Sequence, residues 1–123
     1  AKQIKELFGV LPDDLDDFIL ASQASQAEAK KFFIELFRIG QPQRTGLIWW
    51  NLIDGWPQFS DAVVDYYYEK KLAYDYIKQV QQPILLAMAE PLNWNCELRL
   101  VNDTGSRQNV NCRVTDYTAG GAA

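Results

Sequence analysis

The sequence predicts an α+β fold: a helix–strand–helix unit followed by the opening strands of an antiparallel β domain. Three observations predict it. Apolar residues recur at three- and four-residue spacing up to Ile39. Leu47, Ile48, Trp49 and Trp50 then run together without a polar break. After Pro83 the period shortens to that of a strand. At 123 residues, 48% hydrophobic and 23% charged, the chain has enough material for a folded core.

Each element has its own signals. Residues 1–11 carry a short apolar pattern (Ile4, Leu7, Phe8, Val10, Leu11), read as a helical turn or a docking segment. Pro12-Asp13-Asp14 suits a helix start, because proline fits an early position and acids complement the dipole. From there to Ile39 the stripe is Leu15, Phe18, Ile19, Ala29, Phe32, Phe33, Leu36 and Phe37. The small, polar stretch 22–28 allows one helix or two with a break, and Gly40 with Pro42 ends the run. Residues 45–50 read as a strand buried on both faces, the parallel-sheet kind.

Ser60 or Asp61 then caps a helix reaching about Gln81, with Val64, Tyr68, Leu72, Tyr76 and Val80 as its stripe and Ala73 and Ile77 beside it. The series Tyr66-Tyr67-Tyr68 sends at least one ring off that stripe, and Pro83 ends the helix. Residues 84–88, 96–101 and 110–117 read as three strands, with 102–106 supplying turn chemistry. Three strands begin a β-sandwich without closing it, and one parallel strand cannot form a sheet alone. The chain opens at Ala1, has Met88 as its only methionine and closes on Gly120-Gly121-Ala122-Ala123. The expectation is a piece of a longer polypeptide.

Composition excludes several functions. A net charge of -4 is the wrong sign for nucleic acid, and Lys30-Lys31 and Lys70-Lys71 read as solvated helix faces. No apolar stretch approaches the roughly 20 residues that span a bilayer, so no membrane partner is expected. The absence of histidine removes His-based triads and His metal sites. Cys96 and Cys112 form no metal or redox motif. Alternation places Cys96, Leu98 and Leu100 on one face and Val110, Cys112 and Val114 on another, so both thiols are expected reduced inside a β core, with Trp94 in the same core.

The chemistry sits in Gly46-Leu47-Ile48-Trp49-Trp50-Asn51-Leu52-Ile53-Asp54-Gly55-Trp56-Pro57. Indole rings stand beside Asn51 and Asp54 at the C-terminal end of the predicted strand, where α/β architectures hold ligands. Apolar ring faces beside fixed polar groups suit a sugar. The alternative is a tryptophan-rich core strand. Asn51 and Asp54 either fix hydroxyl groups or hold the loop. Trp56 is either a sugar contact or a plug between the two parts of the chain.

These residues resemble a known family. Leu15-Asp16-Asp17-Phe18-Ile19-Leu20-Ala21-Ser22-Gln23, Gln26-Ala27-Glu28-Ala29 and Ile34-Glu35-Leu36-Phe37-Arg38 are similar to the late helical region of the glycoside hydrolase family 2 barrel, nearest its β-mannosidase-like branch. The tryptophan segment resembles the family's Gly-x-x-Tyr-Trp-Gln-Leu-Asn-Asp-x-Trp-Pro on the eighth strand. Lys71, Tyr74 and Tyr76 fall where the following helix carries similar residues, and Leu100-Val101-Asn102-Asp103-Thr104 is similar to the opening of the next, immunoglobulin-like domain. The resemblance implies that residues 1–82 are the C-terminal portion of a (β/α)8 barrel and that 83–123 begin a β-sandwich.

It also implies a retaining glycosidase whose two glutamates stand about 5–5.5 Å apart on earlier strands, before Ala1. No catalytic residue, metal ligand or cofactor site is then expected within this chain. Glu28, Glu35, Glu69, Glu90 and Glu97 do not replace the pair, and Asp13, Asp14, Asp16 and Asp17 read as a cap and dipole device. The implied role of the chain is to bind substrate: Trp50 as the floor of the sugar subsite, with Asn51, Asp54 and Trp56 around it. Asn51, Ile53 and Trp49 differ from the commoner Gln, Asn and Tyr of the family, which leaves the sugar open among mannoside, galactoside and glucuronide. Competing roles are a non-catalytic carbohydrate-binding module and an assembly piece, and self-association of the isolated chain is expected.

Overall fold

In the computed structural model the structure describes residues 1–118 and 120–121. Ala122 and Ala123, the end of the Gly-Gly-Ala-Ala tail, lie outside the described residues. The described residues form a mixed α and β fold of three helices and one two-stranded antiparallel sheet. Helix α1 spans Lys2–Phe8 and ends at Gly9, whose left-handed φ of 77° lets its N–H reach the Lys5 carbonyl. Its buried residue is Ile4. The N-terminal apolar pattern is therefore a helix, packed on the next one.

Helix α2, Leu15–Ile39, is continuous over 25 residues. Its cap is Asp14, whose carboxylate accepts the N–H groups of Asp16 and Asp17 at 2.9 and 3.2 Å, with Pro12 outside the helix. The stretch 22–28 is a docking strip and not a break. Ala21 and Ala27 are buried there, so neighbouring backbone can come close. Gln26 donates to the Asp61 and Ala62 carbonyls, and Gln23 accepts the Leu72 N–H at 2.9 Å. Farther along the same stripe, Arg38 donates to the Val80 and Gln82 carbonyls and pairs with Asp103 at 2.8 Å.

The packed face of α2 corrects the sequence reading. Ala21, Ala27, Ile34 and Ile39 are buried, while Leu15, Ile19, Phe32 and Phe33 of the predicted stripe are exposed. Long polar side chains occupy the packed face because it abuts irregular backbone, whose carbonyls and N–H groups need partners.

The second long helix is shorter than predicted. Helix α3 covers only Leu72–Val80, and Ser60 and Asp61 do not cap it. Asp65 stops a helix from forming upstream. Its carboxylate accepts the N–H groups of Tyr67 and Glu69, its own N–H bonds the Glu69 carbonyl, and Tyr68 takes a left-handed φ of 68°. All three tyrosines of the series are exposed. Val64 lies outside any helix, bridged to Ile53 on one side and Lys70 on the other.

No strand forms over 45–50. Leu47 and Trp49 pack against the core, whereas Ile48 is 98% exposed and Trp50 79%. The segment is extended with one face covered, not buried on both, because no neighbouring strand among the described residues lies beside it to complete a ladder. Strand β1, Ile84–Met88, pairs with β2, Leu98–Asn102, in a register that sets Leu85 opposite Val101. Those two face the core, with Ala87. Leu98 and Leu100 face outward, so the even-numbered residues expected inside are on the other side; inward parity belongs to Val101.

Cys96 and Cys112 are exposed instead of inside a β core. Trp94 is fully exposed instead of in a β core. The third predicted strand, 110–117, is irregular, and among the described residues no main-chain hydrogen bond reaches 107–117. The core is shared by Ile34 and Ile39 of α2, by Ala73, Ile77 and Val80 of α3, by Val63 of the segment before it, and by the inward sheet residues. No helix among the described residues is long and apolar enough to cross a membrane.

Candidate functional site

Asp54 organises the turn that follows the tryptophans. It is 4% exposed, the buried charged residue of the chain among those described. Its carboxylate accepts hydrogen bonds from the Ser60 hydroxyl and from Gln58 Nε2 at 3.0 Å, and it pairs with Lys71 Nζ at 3.4 Å. The Ser60 hydroxyl above all, with the Gln58 amide and the Lys71 ammonium, holds the carboxyl below its ordinary pKa, although burial works the other way. Main-chain bonds from Asp54 to Val64, Val64 to Leu52 and Lys71 to Val63 tie the turn to the start of α3. Asp54 therefore holds the loop, through side chains and not by capping the backbone before Pro57.

Trp50 and Trp56 sit on the rim that this clamp supports, 79% and 63% exposed. Neither ring has an aromatic stacking partner among the described residues. The Trp50–Asn51 peptide is cis. Asn51 is half-buried, and its amide oxygen is the buried side-chain polar atom left without a donor. Trp49, by contrast, is a core-facing ring. It forms a wall of two open clefts, of about 440 and 310 Å³, the first reaching Arg44 and the second Tyr74. Neither is lined by Trp50, Asn51, Asp54 or Trp56. Trp50 and Trp56 thus stand exposed beside these clefts without lining them.

Two lysines read from sequence as solvated belong to this region. Lys71 is the cationic partner of Asp54. Lys30 reaches from α2 to donate to the Trp50 carbonyl at 3.0 Å, with its ammonium 4.7 Å from the Trp49 ring centroid. Burial holds the Lys30 pKa below its ordinary value, partly offset by Asp61. A signal existed for Lys30: it lies three and four residues from Ala27 and Ile34, on the buried stripe of α2. Nothing local in the sequence announced the clamp of Gln58 and Ser60, whose partner is set by the fold of the turn. Among the described residues, no group of three or more Cys, Asp and Glu residues is gathered to hold a metal ion.

With this geometry in hand, the chain's likeness is to glycosidases. It is 30% identical over 82 residues to β-mannosidase B of Thermothelomyces thermophilus, covering 63% of this chain and 10% of that protein. It is 33% identical over 78 residues to β-mannosidase B of Aspergillus niger, covering 61% and 9%. The chain spans about a tenth of the length of these curated relatives. No family model matches it.

Proposed function

We propose that this chain is a segment of a retaining β-glycoside hydrolase of family 2 type, in which it supplies the sugar-stacking wall while other segments supply the acid and the nucleophile. Residues 1–82 act as the closing part of the (β/α)8 barrel and residues 83–123 as the start of an immunoglobulin-like domain. The observation that carries the reading is the exposed Trp50 on a turn clamped by a buried carboxylate, in a chain similar to β-mannosidase B. Two features support the barrel part. The 45–51 segment is extended with no main-chain partner among the described residues, and the Phe-rich face of α2 is exposed.

In this reading Trp50 stacks on the apolar face of the sugar, with Trp56 at the rim. The orphaned Asn51 oxygen is an acceptor that a sugar hydroxyl would satisfy. Asp54 acts by holding the turn, since its oxygens are already engaged. β-Mannosides are the first substrates to test.

Titration of the chain with β-linked manno-oligosaccharides is expected to quench tryptophan fluorescence, and Trp50→Ala to abolish the quenching. Aryl β-mannosides are expected to be left unhydrolysed by this chain. Turnover would show that the chemistry is not supplied elsewhere, and undiminished quenching in Trp50→Ala would remove the platform.

A further inference from the structure

The division between residues 82 and 83 rests on resemblance, and the packing runs straight across it. One core cluster joins Ile34 of α2 and Ile77 and Val80 of α3 with Leu85, Ala87 and Val101 of the sheet. A two-stranded sheet is marginal by itself, and the face that this one buries is buried on the helices.

Two arginines cross the same line in opposite directions. Arg38, at the end of α2, donates to the Val80 and Gln82 carbonyls and pairs with Asp103 at 2.8 Å, its side chain only 11% exposed. Arg99 of β2 donates back to the carbonyl of Ile39, the last residue of α2, at 3.1 Å. Its other nitrogens hold Glu97. Each guanidinium thus sits at the C-terminal end of a helix, where carbonyls lack partners and the dipole favours a cation.

The hairpin is also closed at its open end. Asp103 accepts from Arg38 and Gln41 on its carboxylate and gives its N–H to the Pro83 carbonyl at 2.8 Å. A swing about Gln82–Pro83 would part Arg38 from Asp103 and Arg99 from Ile39 together, leaving a largely buried guanidinium short of its anion. Beyond the turn at 104–106 such ties stop. Residues 107–117 are exposed, and among the described residues their hydrogen bonds run from Gln108 to Thr104 and Ser106 of that turn.

We propose that α2, α3 and the β1–β2 hairpin form one locked body, with no hinge at 82–83, and that the chain first loosens after the turn at 104–106. Arg38, Gln41 and Asp103 of this joint line the same cleft as Trp49, so the lock fixes the hairpin relative to that ring. That the neighbouring Trp50 meets a sugar rests on the function proposed above; the lock itself does not.

Hydrogen exchange of the full ¹⁵N-labelled chain, followed amide by amide in increasing urea, tests the lock. The amides of α3 and of both strands are expected to converge on one opening transition, with 107–117 exchanging almost freely. Strands that open at lower urea than α3 overturn the proposal, and so does protection of 107–117 equal to that of the strands. Val101→Ala, a change within the hairpin, should lower protection in α3 and in the strands by the same factor, roughly tenfold. A loss confined to the strands overturns the single body. Arg38→Met should likewise lower both together, and a loss confined to α3 would reduce Arg38 to a helix cap and overturn the lock. Should either variant not fold, the unsubstituted chain decides by its opening transitions alone. Manno-oligosaccharide titration is scored separately: absence of binding removes the sugar reading and leaves the exchange result standing.

Discussion

Asp54 and Lys30 show how individual side chains do work here that regular structure does elsewhere. The Asp54 carboxylate gathers Ser60, Gln58 and Lys71 around one turn. Its folded pKa lies below the unfolded value, near 4, so its stabilising contribution is complete above that pH. The contribution is lost as pH falls through the depressed folded value, because the unfolded chain then binds the proton more readily. Urea midpoints measured from pH 5 down to pH 2 are expected to fall across this window, and Asp54→Asn should flatten the slope as well as lower the midpoint at pH 5. Lys71→Met should lower the midpoint at pH 5 too, since it leaves a buried carboxylate short of its cation. The sequence left Asp54 either to fix hydroxyl groups or to hold the loop, and its partners were not legible. Gln58, Ser60 and Lys71 are four, six and seventeen residues away, and no local period links them.

At the scale of the element, α2 decides how the rest is arranged. Its two ends could be read from the sequence, near Pro12-Asp13-Asp14 and at Gly40, because such signals act locally, while 22–28 left one helix or two open. Its packed face could not. The helix has two candidate faces, one rich in phenylalanine and one mixing Ala27 and Ile34 with Gln23, Lys30 and Arg38, and hydrophobicity favours the first. The neighbours are backbone segments with unsatisfied polar groups, so the second face packs. Ile34→Ala is therefore expected to destabilise the chain by about 2–5 kcal/mol. Phe32→Ala, on the exposed face, should stay within about 0.5 kcal/mol. Chemical denaturation of the two variants checks both. Asp14→Ala should cost about 1 kcal/mol through loss of the cap.

The same scale explains the helix expected from Asp61. The apolar stripe through Val64 and Tyr68 was present, but the Asp65 carboxylate offered the backbone a tighter local alternative and the helix began only at Leu72. In the sheet, β1 was placed correctly because Leu85 and Ala87 alternate with exposed neighbours. In β2 the face turned inward is the one expected outside, so Leu98 and Leu100 stand on the outer face.

For the whole molecule, the distribution of exposed apolar groups is the main fact. Leu15, Phe32, Ile48, Phe59 and Trp94 are all open to solvent. Apolar surface of this extent favours association. Light scattering of the isolated chain is expected to show a mass that rises with concentration. Leu15→Glu combined with Phe32→Glu should shift the population towards monomer without moving the circular dichroism of α2. A monodisperse monomer in the unsubstituted chain would contradict this expectation.

The sequence by itself determined the α+β class, the two ends of the α2 region, the position of β1 and the place of the indole cluster. Each of these depends on residues close together in the chain, where period, capping and turn chemistry act directly. Only the tertiary structure decided which face of α2 packs, which face of β2 turns inward, which partners close on Asp54 and which of two adjacent tryptophans faces out. Those choices compare alternatives of nearly equal local energy. They are settled by which distant carbonyl, amide or charge each side chain meets once the chain has folded.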